Sequence, residues 1–594
     1  MKQLPPGLRT ALGDIATQQK RPLDEVLVEA QIDLAELDSH RGRIGSWGFA
    51  ALSRFVRRLG FRHAPIYDLD ELEQLRQEVQ SGSVVFLVTH KTYLDFFVLF
   101  EFFYRNNIQP PRIFGGANMA FAGFGLLARH SGGIFIRRSF RDDPVYKAVL
   151  SQHIADLLVQ KESFMWAIEG TRSRTGKLLI PKLGLLNYVT AAARPLGEKA
   201  VSFVPVAVVY DRIPDVADMA AQEAGARKQK ESLSWFFGYL RKLSGNFGDI
   251  HIRFGTPIAP GDTPDAPDLG VSSSEQAPGI EVQKLAFEAC FRINEITPAT
   301  MNSLVLLSLL CRGPSTLARV QRDTHELQSA ILKLHPGAWQ TKPSRPAAND
   351  PAACINDLVA AGLLHRSKSA AVEIVQIKPQ ALSEAIYYSN MAAHHLVIPA
   401  FTELSLASMF LRSMDFTMAC FESETLALRE LFKFEFFFSR KETFHQQLQQ
   451  ELLNLGLPDP VPDALGHESL QPYLGNKRIR VAIGVLVPYI GAYRAVVEQL
   501  LADPANAGLS DAELIARCLE TARVSPVLAS NMFRPGLSRA LLANGLRVLD
   551  SRRLRCSPDD AGLGERQRLF LAELDRVEQA LEFLATMNAP LPGG

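Results

Sequence analysis

Val84-Val85-Phe86-Leu87-Val88-Thr89 runs straight into His90-Lys91-Thr92-Tyr93-Leu94-Asp95, and a second apolar run, Phe96–Phe103, follows at once. A β-branched apolar stretch, a short break and another apolar run read as a buried strand, a turn and a helix. His90 falls at the strand's end and Asp95 in the first turn of the helix. On one continuous helix, five residues would separate the two by about 140°, so they would not share a face. With a turn between them, the carboxylate reaches back to the imidazole and fixes its tautomer and orientation, as a general base requires. Standing alone, the pair reads equally well as a buried His–Asp pair that only satisfies itself.

Working outward, the same alternation continues. Arg112–Phe114, Gly133–Ile136, Ser163–Ile168, Phe203–Tyr210 and Ile250–Phe254 read as further strands, with helices at Leu94–Tyr104, Asp143–Gln160 and Leu183–Ala193. This pattern predicts an α/β fold, a central sheet flanked by helices. Gly255–Gly279, rich in Pro, Asp and Ser, reads as a loop or linker, and the chain beyond Val282 is mainly helical. A second break lies at His335–Pro351, before a small helix-and-hairpin unit at Leu358–Ile377. The expected organisation is a helical region over 1–80, an α/β domain over 81–280 and a mainly helical region over 281–594.

At 594 residues the chain is too long for one core. A net charge of +1 argues against bulk nucleic-acid binding. All six cysteines lie from Cys290 onward without a CxxC pair, which fits a reducing compartment and gives neither a zinc signature nor a disulfide framework. The start, Met1-Lys2-Gln3-Leu4-Pro5-Pro6, lacks the apolar core of a signal peptide. No apolar run reaches the roughly eighteen residues of a membrane span; the nearest, Ser303–Cys311 and Val481–Ala492, are short, and the second carries Pro488. Ile44–Arg62 joins an apolar stripe (Trp47, Ala51, Leu52, Phe55, Val56, Leu59) to Arg54, Arg57, Arg58 and Arg62. It reads either as an interfacial helix with a basic face or as a helix packed on the next domain with its arginines solvated.

Three further clusters carry chemistry. In Gly132-Gly133-Ile134-Phe135-Ile136-Arg137-Arg138-Ser139-Phe140, adjacent arginines at a strand's end suit a phosphate. Neighbours on a strand point to opposite faces, so one of the two is expected on the ligand. In Glu169-Gly170-Thr171-Arg172-Ser173-Arg174-Thr175-Gly176-Lys177, with Lys182 beyond, a glycine-broken loop after a strand suggests an anion site. The spacing is not that of a P-loop: five residues separate Gly170 from Gly176, and Leu178 stands where Ser or Thr is needed. Val204–Arg212 is a buried strand whose polar end can close a pocket. Gly123–Ala128 matches a relaxed dinucleotide fingerprint with no strand leading into it, so a tight turn is expected there. No GxSxG elbow occurs.

His90–Asp95, Gly132–Phe140, Glu169–Lys177 with Pro181-Lys182, and Val204–Asp211 together resemble the four blocks of the glycerophosphate acyltransferase family. The match is closest to its glycerol-3-phosphate and dihydroxyacetone-phosphate branches. Phe254–Ile258 and Tyr387–Pro399 also look like the bacterial glycerol-3-phosphate enzymes. The resemblance implies an O-acyltransferase that moves a fatty acyl group from acyl-CoA or acyl-carrier protein to the sn-1 hydroxyl of glycerol 3-phosphate. It implies His90 as base and Asp95 as its partner. Arg137, Arg138, Thr171, Arg172, Ser173, Arg174 and Lys182 would take the acceptor, with Glu169 and Gly170 shaping its pocket. Backbone N–H groups near the strand–turn–helix junction are expected as oxyanion donors. No metal or other cofactor is implied, and no nucleic acid. The expected setting is peripheral, on the cytoplasmic face of the cell membrane, which favours the interfacial reading of Ile44–Arg62. Two departures leave the acceptor open. Lys91-Thr92 stands where Arg-Ser is usual, and Thr171 is as in the dihydroxyacetone-phosphate branch. The alternatives are acylation of dihydroxyacetone phosphate or lysophosphatidate, or a non-catalytic phospholipid-binding scaffold.

Overall fold

The structure is a computed structural model describing residues 4–117, 124–137, 140, 142–197, 200–223, 225–226, 232–259, 279–339, 349–369, 372–475, 478–524, 537–555, 560 and 562–588. The chain forms two units. The first comprises Met1–Arg172, Pro181–Pro214 and Gln229–Thr297; the second comprises Ser173–Ile180, Asp215–Lys228 and Pro298–Gly594.

The first unit is built on a six-stranded sheet: β1 (Ser83–Val88), β2 (Arg112–Gly116), β3 (Gly133–Ile136), β4 (Phe164–Ala167), β5 (Val201–Tyr210) and β6 (Ile250–Phe254). Their order is β3-β2-β4-β1-β5-β6, parallel throughout except that β6 runs antiparallel to β5. Gly133–Ile136 and Ile250–Phe254 stand as read from the sequence, and the other strands differ by one or two residues at an end. Every residue of β1 is buried, which is why its sequence is an unbroken apolar run rather than an alternating one.

Helices cover the sheet: α1 (Pro6–Gln19), α2 (Leu23–Leu37), α3 (Arg43–Gly60), α4 (Leu69–Ser81), α5 (Asp95–Arg105), α6 (Phe124–Arg129), α7 (Pro144–Val159) and α8 (Leu183–Ala193). Helix α7 is capped by the Asp143 carboxylate, which accepts from the Tyr146 N–H at 2.9 Å. Phe124–Ala128 of the glycine fingerprint lies in α6 rather than in a turn, because its apolar side chains have a helix neighbour, α3, to pack on; Gly123 lies outside the described residues. Most of Gly255–Gly279 also lies outside them.

Helix α3 packs on α5, where Phe49 stacks on Phe97 at 5.5 Å and meets Phe100 edge-on at 4.7 Å. One expectation is corrected here. Arg57 does not belong to a solvated basic face: its side chain is 2% exposed and forms a fork on Glu101, Nε to Oε2 at 2.7 Å and Nη2 to Oε1 at 3.0 Å. It follows Ser53 by one helical turn and so shares the buried face. The apolar stripe is divided in the same way. Val56 is buried, whereas Ile44, Trp47 and Phe55 are exposed, with Arg54, Arg58 and Arg62 beside them.

The second unit holds α9 (Val216–Glu223) and the helices from Met301 onward, with a hairpin of Leu364–Ser369 and Val372–Ile377 after the helix Pro351–Ala360. Among the described residues one helix, Ala482–Ala502, is long and apolar enough to cross a membrane, and 67% of its most apolar window is buried inside the fold. It packs on the helices Val397–Leu411, Arg539–Ser551 and Leu563–Asn588. Its first N–H groups are met by a carboxylate from another helix: Glu403 Oε2 accepts from Val481 N at 2.8 Å and Ala482 N at 3.1 Å.

Burial holds the Glu403 carboxyl up at about 7, against the pull of Arg480 and Arg478. Between its ordinary 4.5 and about 7, the folded chain therefore keeps a proton that the unfolded chain has lost. The stabilisation is full below that window, falls as pH rises through it and is level above it. The whole fall amounts to about 3 kcal/mol. Glu403→Gln, which cannot ionise, is expected to gain in melting temperature on the parent protein between about pH 5 and about pH 8. Parallel melting curves across that range would assign the titration elsewhere.

Candidate active site

The carboxyl ends of β1, β4 and β5 lie side by side, and each delivers one polar side chain to the same place. Val88 of β1 is opposite Ala167 of β4, so two residues further on His90 comes level with Glu169. The His90 N–H donates to Glu169 Oε1 at 3.0 Å. Val88 is also opposite Val206 of β5, which continues past the end of β1 to Tyr210. The edge beyond the carboxyl ends of parallel strands, where successive crossovers leave to opposite sides, is the usual ligand crevice of such sheets.

Asp95 opens α5 and is fully buried, and its carboxylate has four donors. His90 Nδ1 lies 2.9 Å from Oδ2, the Lys91 and Thr92 N–H groups donate to the same oxygen at 2.6 and 3.1 Å, and the Tyr210 hydroxyl donates to Oδ1 at 2.7 Å. A carboxylate can only accept, so Nδ1 carries the hydrogen and Nε2 of a neutral His90 is left with its lone pair. The His90 side chain retains 15% exposure, enough to present that nitrogen. These contacts hold the imidazole in one tautomer and one orientation, as a general base requires.

The same hydrogen bonds correct the expected oxyanion donors. The N–H groups of His90, Lys91 and Thr92 all point to carboxylate oxygens of Glu169 and Asp95, so these three do not face a developing oxyanion. The turn is tight enough that its first amides converge on the carboxylate that orients the base.

Three groups complete the surroundings. The Lys91 side chain is buried, and desolvation pushes its ammonium down while Glu169 and Asp95 pull it back up. Helix α10 (Leu233–Leu243) contributes Tyr239, whose hydroxyl is 2.9 Å from Thr92 Oγ1, and Trp235, which meets Tyr93 edge-on at 4.5 Å. The Arg172 guanidinium lies 4.1 Å from the Tyr93 ring centroid and is itself buried. Lys91, Tyr210 and Tyr239 were not singled out from the sequence. Tyr210 was marked only by its place at the polar end of a long buried strand.

The remaining expected site residues are distributed differently. Arg137 follows β3, three strand spacings or about 14 Å from β1. Its guanidinium is already held by carboxylates, with Nη2 at 2.7 Å from Asp33 and 2.6 Å from Glu36, and Nη1 at 3.1 Å from Asp143. It also lies 4.4 Å from the Tyr146 ring centroid. The structure therefore does not bring Arg137 to His90, and Arg138 lies outside the described residues. Gly170 takes φ +64°, reversing the chain just after Glu169. Thr171 and Lys182 are exposed, while Ser173 is buried and Arg174 is paired with Glu223 at 3.1 Å, these last in the second unit.

Two family models match the chain. One, named Acyltransferase, covers residues 68–209, and the other, the glycerol-3-phosphate acyltransferase C-terminal region, covers residues 219–556, more than half of the chain. Proteins of Mycobacterium bovis and Mycobacterium tuberculosis named as acyltransferase plsB1 are 28% identical over 579 residues, covering 96% of this chain and 91% of their own length. A glycerol-3-phosphate acyltransferase of Shewanella loihica is 30% identical over 448 residues, 73% of this chain and 53% of that protein. A solved 1-acyl-sn-glycerophosphate acyltransferase, PlsC of Thermotoga maritima, aligns over 48% of this chain and 91% of its own at 15% identity, with a TM-score of 0.25, too low to add to the assignment. Family models over both halves of the chain agree: the protein is an acyltransferase and belongs to the glycerol-3-phosphate acyltransferase family.

Proposed function

We propose that the protein transfers a fatty acyl group from acyl-CoA or acyl-carrier protein to the sn-1 hydroxyl of glycerol 3-phosphate, forming lysophosphatidate. The observation that carries this reading is the His90–Asp95 pair, with one imidazole nitrogen fixed at 2.9 Å from a fully buried carboxylate. His90 Nε2 takes the proton of the acceptor hydroxyl as its oxygen attacks the thioester carbon. Asp95, steadied by Tyr210 and two backbone N–H groups, stabilises the imidazolium that forms. Collapse of the tetrahedral intermediate breaks the C–S bond, and the departing thiolate takes its proton back from His90. The route needs no metal or cofactor beyond the acyl donor.

Arg172 and Lys182, with Ser173, Arg174 and Thr171 on the same loop, are the residues assigned to the acceptor's phosphate, together with Arg138. Arg137 is assigned instead to holding the end of β3 against α2. Glu169 orders the His90 backbone, and Gly170 permits the turn. The test is to incubate purified protein with palmitoyl-CoA and glycerol 3-phosphate, dihydroxyacetone phosphate or lysophosphatidate in parallel. Lysophosphatidate formed from glycerol 3-phosphate supports the reading; turnover of only another acceptor would move the substrate, and no turnover would favour a lipid-binding scaffold.

Peripheral attachment to the cytoplasmic membrane face is part of this proposal. It is supported by Ile44, Trp47 and Phe55 on α3, Leu126 on α6 and Phe237 on α10, all exposed, with basic Arg54, Arg58, Arg241 and Lys242 on the same helices. Both α6 and α10 pack on α3. Exposed apolar and aromatic side chains with basic residues on the same helices suit the interface of an anionic bilayer. Trp47→Ser with Phe55→Ser is expected to cut partitioning onto phosphatidylglycerol vesicles by about tenfold or more, measured by flotation. Unchanged flotation would place the contact elsewhere.

A further inference from the structure

The chain between β4 and α8 passes through the second unit: Ser173–Ile180 packs there, while the residues before and after it belong to the first. The ends of this loop are pinched together, with the Lys182 N–H donating to the Ile168 carbonyl at 2.8 Å and the Gly170 N–H to the Ala167 carbonyl at 3.0 Å. Its middle is fastened at four successive residues. Arg174 pairs with Glu223 at 3.1 Å, and Asn390 Nδ2 donates to the Thr175 carbonyl at 2.8 Å. Gly176 takes φ +86° and lies so close to Tyr387 that a Cβ would overlap the Tyr387 carbonyl oxygen. Lys177 Nζ donates to the Glu435 carbonyl at 2.9 Å and to the Glu435 carboxylate.

Both side chains of that last pair are sealed from solvent, 4% and 0% exposed. The ammonium lies 4.7 Å from the Tyr489 ring centroid, and the carboxylate accepts from the Tyr493 hydroxyl and Asn544 Nδ2, each at 3.1 Å. Burial pushes the Lys177 ammonium down, and Glu435 opposes that. A buried ion pair adds little net stability compared with an apolar pair of the same size, but its partners must meet in one geometry. A lysine in the middle of this loop, buried in a helical core, is therefore a device for fixing a path rather than for strengthening a fold.

We propose that Lys177 is a positioning residue for acceptor binding: its buried pair with Glu435 anchors the far turn of the loop Glu169–Lys182 and so fixes the arrangement of the phosphate-binding residues that the loop carries. This deepens the acceptor reading above and rests on it. The decisive variant is Lys177→Met with Glu435→Gln, which leaves no buried charge and keeps a carbonyl acceptor for Asn544 and an NH2 donor for the Tyr493 hydroxyl oxygen. It is expected to raise KM for glycerol 3-phosphate about tenfold or more, with kcat and the KM for palmitoyl-CoA within about twofold of the parent. A wild-type KM for the acceptor overturns the proposal, as does a parallel loss in both KM values and kcat. Should that variant not fold, Tyr493→Phe removes one donor to Glu435 and no charge. An acceptor KM raised about threefold by it supports the anchor, and an unchanged one overturns it. Parent protein that acylates no acceptor overturns the reading and the anchor together, whereas active parent protein with an indifferent variant overturns the anchor alone.

Discussion

His90→Ala is expected to lower kcat for acyl transfer by about 10²–10⁴-fold, with little change in melting temperature or in acceptor KM. The expectation rests on one nitrogen. An alcohol is a weak nucleophile near neutral pH, and Nε2 of His90, the proposed base, is the nitrogen left with its lone pair once Nδ1 is tied to Asp95 at 2.9 Å. Asp95→Asn should approach the same loss, because an amide can offer its NH2 to Nδ1 and stabilise the wrong tautomer. The double variant should be no worse than the poorer single one, since the two side chains act as one unit. Full activity in His90→Ala would remove the base from the mechanism and leave positioning alone to explain turnover.

Arg57→Met is expected to lower stability by about 3–5 kcal/mol, read from chemical denaturation. The substitution leaves Glu101 buried, with Arg105 at 3.5 Å. It also removes the donor that serves the Phe61 carbonyl at 3.1 Å and the His63 carbonyl just beyond α3. Replacing Glu101 by Leu as well should recover most of the loss but not all, because those carbonyls stay without their donor, at a cost of about 1–3 kcal/mol. A single variant as stable as the parent would mean that the pair is open to water, contrary to its 2% exposure.

These two predictions differ in how far the sequence alone could reach them. His90 and Asp95 are five residues apart, and the chemistry that relates them, a strand ending in a turn that opens a helix, is local. Periodicity and turn logic suffice for that, as they do for strands such as β1 and β4, whose apolar runs announce burial on both faces. Arg57 and Glu101 are separated by 44 positions and lie on two helices. A basic residue on an amphipathic helix reads as solvated until the partner that buries it is known. Arg137 is the same case at longer range: beside nearby Asp143, two of its carboxylates come from α2, over 100 positions earlier, so an arginine shaped for a phosphate meets Asp33 and Glu36 instead.

The order and spacing of neighbouring residues announce the elements of the sheet and the pairing of His90 with Asp95, and the reaction class comes with the resemblance of four such blocks to a known family. Which groups surround the imidazole is settled by tertiary packing. Strand register sets Glu169 level with His90 and carries Tyr210 to Asp95. The fold of the turn directs three backbone N–H groups to carboxylates rather than to an oxyanion. The path of one loop through the helical unit brings Lys177 to Glu435 across 258 positions. The physical reason is common to the register and the loop, while the Lys91 and Thr92 bonds to Asp95 are set within the turn itself. Hydrogen bonds and ion pairs act over about 3 Å, and which groups come that close is fixed by packing between elements distant in the chain.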